Sequence, residues 1–319
     1  MWLGASLQLS GRQVRASLPW SGAGRGRLTK RRACLSGVRP DSGWNEEASV
    51  DLGTIKLGHL EVGRLIIGGN PFSGFSHQNP EKSREMRHWY TAARIKEALR
   101  EAEAVGVNTH LGRADHHVMR TLLEYWDEGG TIQWIAQTCP GVGPIERGVR
   151  NAIEGDAVAC FIHGGEMDNR FAQDAIDEVP PAIEMIKKAG LSAGIASHNP
   201  QVLDWAEQAL DVDFYMCSYY NPTPRDLDPE HNPDDAEWFR PEDRDAMVRH
   251  IQDLSAPAIH YKVMAAGRND PEQALDFVAE HLRPQDAVCI GVYTGDDPHM
   301  LAEDARILAT RLATRGKLA

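Results

Sequence analysis

Eight short apolar runs, each followed by a longer amphipathic one, narrow the folds open to this chain more than any other feature. The expected strands are Arg64–Gly68, Val107–His110, Thr131–Ala136, Ala157–His163, Leu191–Ala196, Asp213–Ser218, Ala258–Val263 and Asp286–Gly291. Between them apolar residues recur at spacings of three and four. The clearest case is Thr91–Val105, where Ile95, Ala98, Leu99, Ala102 and Val105 share one helical face. Such alternation is the signature of βαβ units around a parallel sheet. Eight units in about 265 residues match a (β/α)8 TIM barrel, whose usual size is ~250 residues. An open doubly wound sheet is the structural alternative.

Punctuation supports the same division. Asn199-Pro200, Asp270-Pro271 and Asp297-Pro298 each join a side chain that accepts an orphan amide to a proline suited to the first helical position. Ahead of the first long strand, Thr54–Leu57 and Leu60–Val62 flank Gly58-His59 as a small β-hairpin, placed to plug the bottom of the barrel.

Charge separates an extension from the body. Residues 1–40 hold eight basic residues and no acidic one, whereas the remaining 279 hold 26 basic against 46 acidic. Residues 1–48 therefore read as a basic, unstructured extension and residues 49–319 as the barrel domain. The extension has three readings: an organellar transit peptide, a basic arm, or the product of an upstream start codon. So acidic a body repels polyanions, which points away from nucleic acid and anionic membranes and toward small-molecule partners. No run reaches the ~18 apolar residues of a membrane-spanning helix. Cys34, Cys139, Cys160, Cys217 and Cys289 are odd in number and widely spaced. They suit reduced core thiols in a cytoplasmic protein rather than a disulfide framework.

A barrel enzyme carries its chemistry where strands end and βα loops begin. There the sequence gathers His, Asn, Ser, Gln and Tyr: Gly69-Asn70-Pro71 through His77, His110 through His117, His163-Gly164-Gly165-Glu166-Met167-Asp168, Ser197-His198-Asn199, Cys217 through Pro222, Lys262 and Tyr293. These side chains pair, ligate or move protons near neutral pH. His59, His77, His88, His231, His250 and His281 read as surface or loop histidines. Asp115 reads as a helix cap or a catalytic acid, and Lys262 as a Schiff-base or anion-binding lysine or a structural one. Strand alternation gives His260 and Lys262 the same side. The connection from Asn221 to Pro241, with Trp238 and Phe239, suits a lid or pocket wall.

In chain order, several segments resemble the aldo-keto reductase superfamily over most of Leu52–Leu308. They are the hairpin, Gly106-Val107-Asn108 before strand two, His163 closing strand four, Gly194-Ile195-Ala196-Ser197-His198-Asn199-Pro200, Tyr220-Asn221-Pro222, Ala265-Ala266-Gly267 and Ile290-Gly291. The resemblance implies an oxidoreductase barrel for a polar carbonyl or sugar-like substrate, with NAD(P) as cofactor. It implies that His163 orients the carbonyl, that Ser197 and Asn199 hold a nicotinamide carboxamide, that Tyr219 or Tyr220 stacks on the ring, and that Gly267 and Arg268 lie near a cofactor phosphate. The superfamily's proton-donating tyrosine in the strand-two loop, with its aspartate and lysine, has no counterpart here. His110 or His116 would have to replace it, and Asp296 and Asp297 would set negative charge where a phosphate binds.

Two further readings use the same loops. His110, His163, His198 and Glu166 could hold a divalent metal such as zinc, manganese or iron in a lyase, isomerase or hydrolase. A barrel without its catalytic residues could serve as a non-catalytic binding protein.

Overall fold

Runs rich in Ile, Val, Ala and aromatic residues build strands buried on both faces, as a parallel sheet covered by helices requires. The protein was studied as a computed structural model, which describes residues 49–223 and 237–317. The extension 1–48 and residues 224–236 of the expected lid lie outside the described residues.

Strands β1 (Thr54–Leu57) and β2 (Leu60–Gly63) form the antiparallel hairpin. The barrel strands are β3 (Leu65–Gly68), β4 (Thr109–Arg113), β5 (Gln133–Gln137), β6 (Ala159–Ile162), β7 (Ser192–Ser197), β8 (Phe214–Ser218), β9 (Ala258–Tyr261) and β10 (Ala287–Gly291). They run parallel in chain order and close when β10 pairs with β3, Val288 opposite Leu65. The (β/α)8 barrel is therefore the fold, and the open sheet is excluded.

The helices are α1 (Pro80–Trp89), α2 (Ala92–Ala104), α3 (His116–Asp127), α4 (Ile145–Glu154), α5 (Gly164–Ala172), α6 (Val179–Lys188), α7 (Pro200–Ala209), α8 (Pro241–Ile251), α9 (Pro271–His281) and α10 (Met300–Thr314). Asn199 and Asp270 cap α7 and α9 as expected, their side chains accepting from Gln201 N and Gln273 N. The third boundary shifts: Asp297 accepts from His299 N at 2.8 Å, and α10 begins only at Met300.

Alternation along the strands divides the apolar residues into two layers. Ile66, Leu111, Ile135, Phe161, Met216, Ile259 and Cys289 fill the barrel interior, joined by Leu57 and Val62 of the hairpin. Ile67, Trp134, Cys160, Ile195, Tyr215 and Val288 face outward against Leu99, Leu122, Val149, Ile183, Leu203 and Leu308 of the helices. The hairpin plugs the N-terminal end, where Ser192 Oγ donates to Leu57 O and Gln133 Nε2 to Glu61 O. The opposite end stays open.

Candidate active site at the barrel mouth

At the open end the interior layer gives way to a cavity of about 400 Å³. Leu111, Gln137, Phe161, Met216, Tyr261 and Cys289 form its floor; it extends past Gly291 and Tyr293 to Met300 and Asp304 on α10. Gly68 and Gly291 let the wall close tightly, since a Cβ on Gly68 would lie 3.1 Å from Cys289 Sγ and 3.2 Å from Gly291 N.

Three side chains join in series at this mouth. Asp168 on α5 is only 5% exposed; it accepts from Ser197 Oγ, from His198 N at 3.2 Å and from His198 Nδ1 at 2.7 Å. That carboxylate assigns the Nδ1–H tautomer to the neutral imidazole. His198 Nε2 is then an acceptor for the Tyr261 hydroxyl, 3.2 Å away. Burial first, then the Asp168 charge, raise the Tyr261 phenol well above its ordinary value, so it keeps its proton at neutral pH.

Lys262 follows Tyr261 with a left-handed backbone, φ 59°. That turn breaks the strand's alternation. Lys262 therefore lines the cavity beside Tyr261, whereas His260 faces outward and is fully buried. The shared side expected for His260 and Lys262 is thereby corrected. Burial lowers the Lys262 ammonium's pKa, opposed by Glu237. Among the described residues no hydrogen bond reaches its Nζ. Across from it, His77 Nδ1 lies 2.7 Å from Glu237 Oε1 and Asn70 Nδ2 donates to His77 Nε2 at 3.2 Å. The nearby Lys262 charge, then burial, lower the His77 pKa despite Glu237.

The expected residues scatter around this centre. Strand β4 runs three residues beyond its expected end, because Leu111, Gly112 and Arg113 pair with Ile135, Ala136 and Gln137. His110 is thus mid-strand. Leu111 lines the cavity, and His110 takes the opposite face, its ring 5.5 Å from Phe72 and its Nδ1 3.1 Å from Ile67 O. Burial drives its pKa down to about 4, so it packs as a neutral imidazole. His163 caps α5, its Nδ1 accepting from Glu166 N at 3.3 Å, and burial, then His198, lower it to about 3. It does sit beside His198: a Cβ on Gly164 would lie 3.1 Å from His198 Cε1. Asp115 caps α3 through Val118 N and pairs with Arg113 at 3.0 Å. His116, the other expected donor, opens α3 as an exposed residue.

The metal set does not assemble. Glu166 Oε1 pairs with Arg170 at 3.2 Å, His198 spends both ring nitrogens on Asp168 and Tyr261, and His110 lies on the far side of the sheet. Among the described residues no group of three or more His, Cys, Asp or Glu is placed to hold a metal ion.

Tyr261 and Glu237 were not singled out in the sequence, and His77, read there as a surface or loop histidine, is a loop residue that lines the cavity. Ile259 and Tyr261 share a parity that points both into the barrel, and Asn70 with His77 lies in the polar loop after β3. Glu237 had no local signal. Phe239, expected as apolar cover, does line the cavity, while Trp238 is exposed with Arg240 stacked 4.3 Å from its ring.

The fold and its open polar end define a TIM barrel with a C-terminal-face site. Its fold is that of the aldo-keto reductases. Two structures from Pseudomonas aeruginosa, provisionally named aldo-keto reductases, match at TM-score 0.57. One is 16% identical over 83% of this chain and 98% of that chain; the other is 14% identical over 84% and 98%. The aldo-keto reductase from Bacillus halodurans, in its holo form, matches at TM-score 0.50 and 14% identity over 82% of this chain and 96% of that one. No protein-family model and no curated protein matches the chain.

The residues expected to hold a nicotinamide dinucleotide do not fit one. Ser197 is fully buried and committed to Asp168, and Asn199 to its cap. Tyr219 is buried behind the sheet on His260, and the Tyr220 hydroxyl accepts from Asn269. Gly267 lines the cavity, but Arg268 beside it stacks on Phe239 and donates to His77 O. At the far end of the cavity the lining carries Asp296 and Asp304, and its cation, Lys82, is already paired with Asp296 and Glu85, a poor setting for a diphosphate. No helix of the described residues is long and apolar enough to cross a membrane.

Proposed function

We propose that the chain is an acid–base enzyme, on an oxidoreductase-type barrel, for small polar carbonyl or hydroxyl compounds. The observation that carries this reading is the Asp168–His198–Tyr261 series ending in a cavity that also holds Lys262. A substrate hydroxyl gives its proton to Tyr261 Oη while the tyrosine's own proton passes to His198 Nε2, and Asp168 stabilises the imidazolium that forms. With a carbonyl compound, Tyr261 Oη gives its proton to the carbonyl oxygen as a proton leaves the adjacent carbon, an enediol forms, and the His198 imidazolium returns a proton to the tyrosine. The Lys262 ammonium faces the charge that develops on that oxygen. His77, kept neutral by its surroundings and oriented by Glu237, is the second base, for a hydrogen on the adjacent carbon, once a substrate displaces the Asn70 amide from its Nε2.

This assigns catalysis to Tyr261 and Lys262 with His198 and Asp168 positioned behind them; His163 positions the start of α5. The four cysteines among the described residues are buried and unpaired, which suits a reducing, cytoplasmic setting. Nicotinamide-dependent reduction stands as a second reading, on the likeness to the Bacillus halodurans holo enzyme alone.

The test is hydrogen exchange followed by NMR in D2O, with a panel of hydroxyaldehydes and hydroxyketones. Wild type should exchange the hydrogen next to the carbonyl in at least one compound, and Tyr261→Phe should lose that activity. Equal rates for both proteins would sink the acid–base reading. Saturable quenching on titration with NADH or NADPH would favour the reductase.

A further inference from the structure

The far end of the cavity is built differently from its mouth. Helix α10 buries Leu301, Ala305, Leu308 and Leu312, and Asp304 lies on that same face. It is 4% exposed, yet it belongs to the cavity wall together with Met86, Tyr293 and Met300. No hydrogen bond or ion pair reaches its carboxyl group among the described residues. A buried carboxyl without a donor is costly unless something supplies one.

The neighbours do not supply it. Glu303 and Asp297 add negative charge beside it, and Asp296 adds more in the cavity wall. Lys82 on α1 is the nearby cation in the wall, but it is already held by Asp296 at 2.8 Å and Glu85 at 3.3 Å, over the Tyr293 ring. The end of the cavity is therefore a carboxyl group set among thioethers and an aromatic ring. A carboxylate supplies the counter-charge for an ammonium group, and sulfur and aromatic faces suit the carbons around one. A phosphate or carboxylate ligand would meet Asp296, Asp304 and a Lys82 already paired with two carboxylates.

We propose that Asp304 forms a cation-recognition subsite, so that the ligand of this cavity carries a protonated amine at the end remote from Tyr261 and Lys262. The proposal deepens the acid–base reading by naming its substrate class, an amino-bearing carbonyl or hydroxyl compound. Binding at this end can be measured without turnover.

The probes are n-pentylamine, n-pentanol and valerate, matched in length and differing in the charge of one end. Ligand-observed NMR titration of the full chain should show saturable binding of the amine. Pentanol and valerate should each bind at least ten-fold more weakly. Asp304→Asn should weaken amine binding at least ten-fold and leave pentanol unchanged. Met300→Trp, which fills the same end and keeps the carboxyl group, should also abolish amine binding, and it serves where Asp304→Asn fails to fold. Equal binding of amine and alcohol, or an unchanged amine affinity in either variant, would overturn the subsite. Tyr261→Phe should leave amine binding intact, so failure of the acid–base reading is read separately from failure of this one.

Discussion

Among the described residues two Asp–His–Tyr series can be compared, and of the two it is the mouth series that lines the barrel-mouth cavity. Behind the sheet, Asp286 lies 3.3 Å from His260 Nε2, and Tyr219 Oη lies 3.0 Å from His260 Nδ1. At the mouth, Asp168, His198 and Tyr261 repeat the same residue types at 2.7 and 3.2 Å. The rear series is closed: Asp286 and His260 are 0% exposed, and Asp286 also accepts from Arg283 Nε at 2.8 Å, from Arg283 Nη2 at 2.9 Å and from Ala258 N at 2.8 Å. Burial would push that carboxyl group's pKa up, but the hydrogen bonds from His260 and Arg283 hold it below its ordinary value. Residue types and distances alone do not separate a structural series from a working one. Access of the terminal hydroxyl to a ligand does.

The largest effect should come from breaking the open series at its end. Tyr261→Phe removes the hydroxyl that joins the Asp168–His198 pair to the cavity and should lower kcat/KM by ~10²–10⁴-fold, with the fold's melting temperature little changed. Steady-state rates on the compound identified by exchange measure it. Next come the two carboxylates. Asp286→Asn strands Arg283 and should destabilise the protein by about 3–5 kcal/mol in urea denaturation. Asp168→Asn should be milder on stability, about 1–3 kcal/mol. Because it releases the His198 tautomer, it should carry the larger activity loss. Equal stability losses would mean that the mouth series is as structural as the rear one.

The cavity's far end sharpens the same contrast through pH. Burial first, then Glu303 and Asp297, raise the Asp304 pKa from 3.8 to about 7. The unfolded chain releases that proton near pH 4, whereas the folded protein keeps it until about pH 7. The unfolded state thus binds fewer protons across this window, and this group's contribution to stability falls as pH rises, by at most ~1.4 kcal/mol per pH unit. Thermal melts of Asp304→Asn should lack that component, and the variant should equal or exceed wild type in stability at pH 8. A wild-type advantage at pH 8 would mean that the carboxylate has a donor after all.

Much of the architecture could be read from the chain because barrel strands and helices announce themselves locally. Two-faced apolar runs, the Asn199 and Asp270 caps and the α2 stripe all depend on neighbours within a few residues. The site depends on longer relations. The expected second strand ended at His110, yet pairing of Leu111, Gly112 and Arg113 with β5 carries β4 onward, and the strand's alternation sets His110 in the outer layer. The positive φ of Lys262 cannot be inferred from lysine, which rarely adopts it. Glu237 meets His77 across 160 residues. Asp304 was legible in principle, as an acid on the stripe of Leu301, Ala305 and Leu308, and it is the kind of local inconsistency that marks a functional position.

The smallest expected effect is the most discriminating for the comparison. Tyr219 is 1% exposed, packs edge-on to Phe277 with ring centroids 5.9 Å apart, and gives its hydroxyl only to His260. Tyr219→Phe keeps the ring and removes one buried hydrogen bond, so urea denaturation should show a loss of about 1 kcal/mol. Nothing in the cavity touches that hydroxyl, so kcat and KM should match wild type within a factor of two or so, since a buried hydrogen bond remote from the reacting atoms offers no differential transition-state binding. If Tyr219→Phe instead lowers kcat without moving the melting temperature, the rear series transmits to the reacting centre. In that case exposure to the cavity is the wrong criterion for telling the two apart.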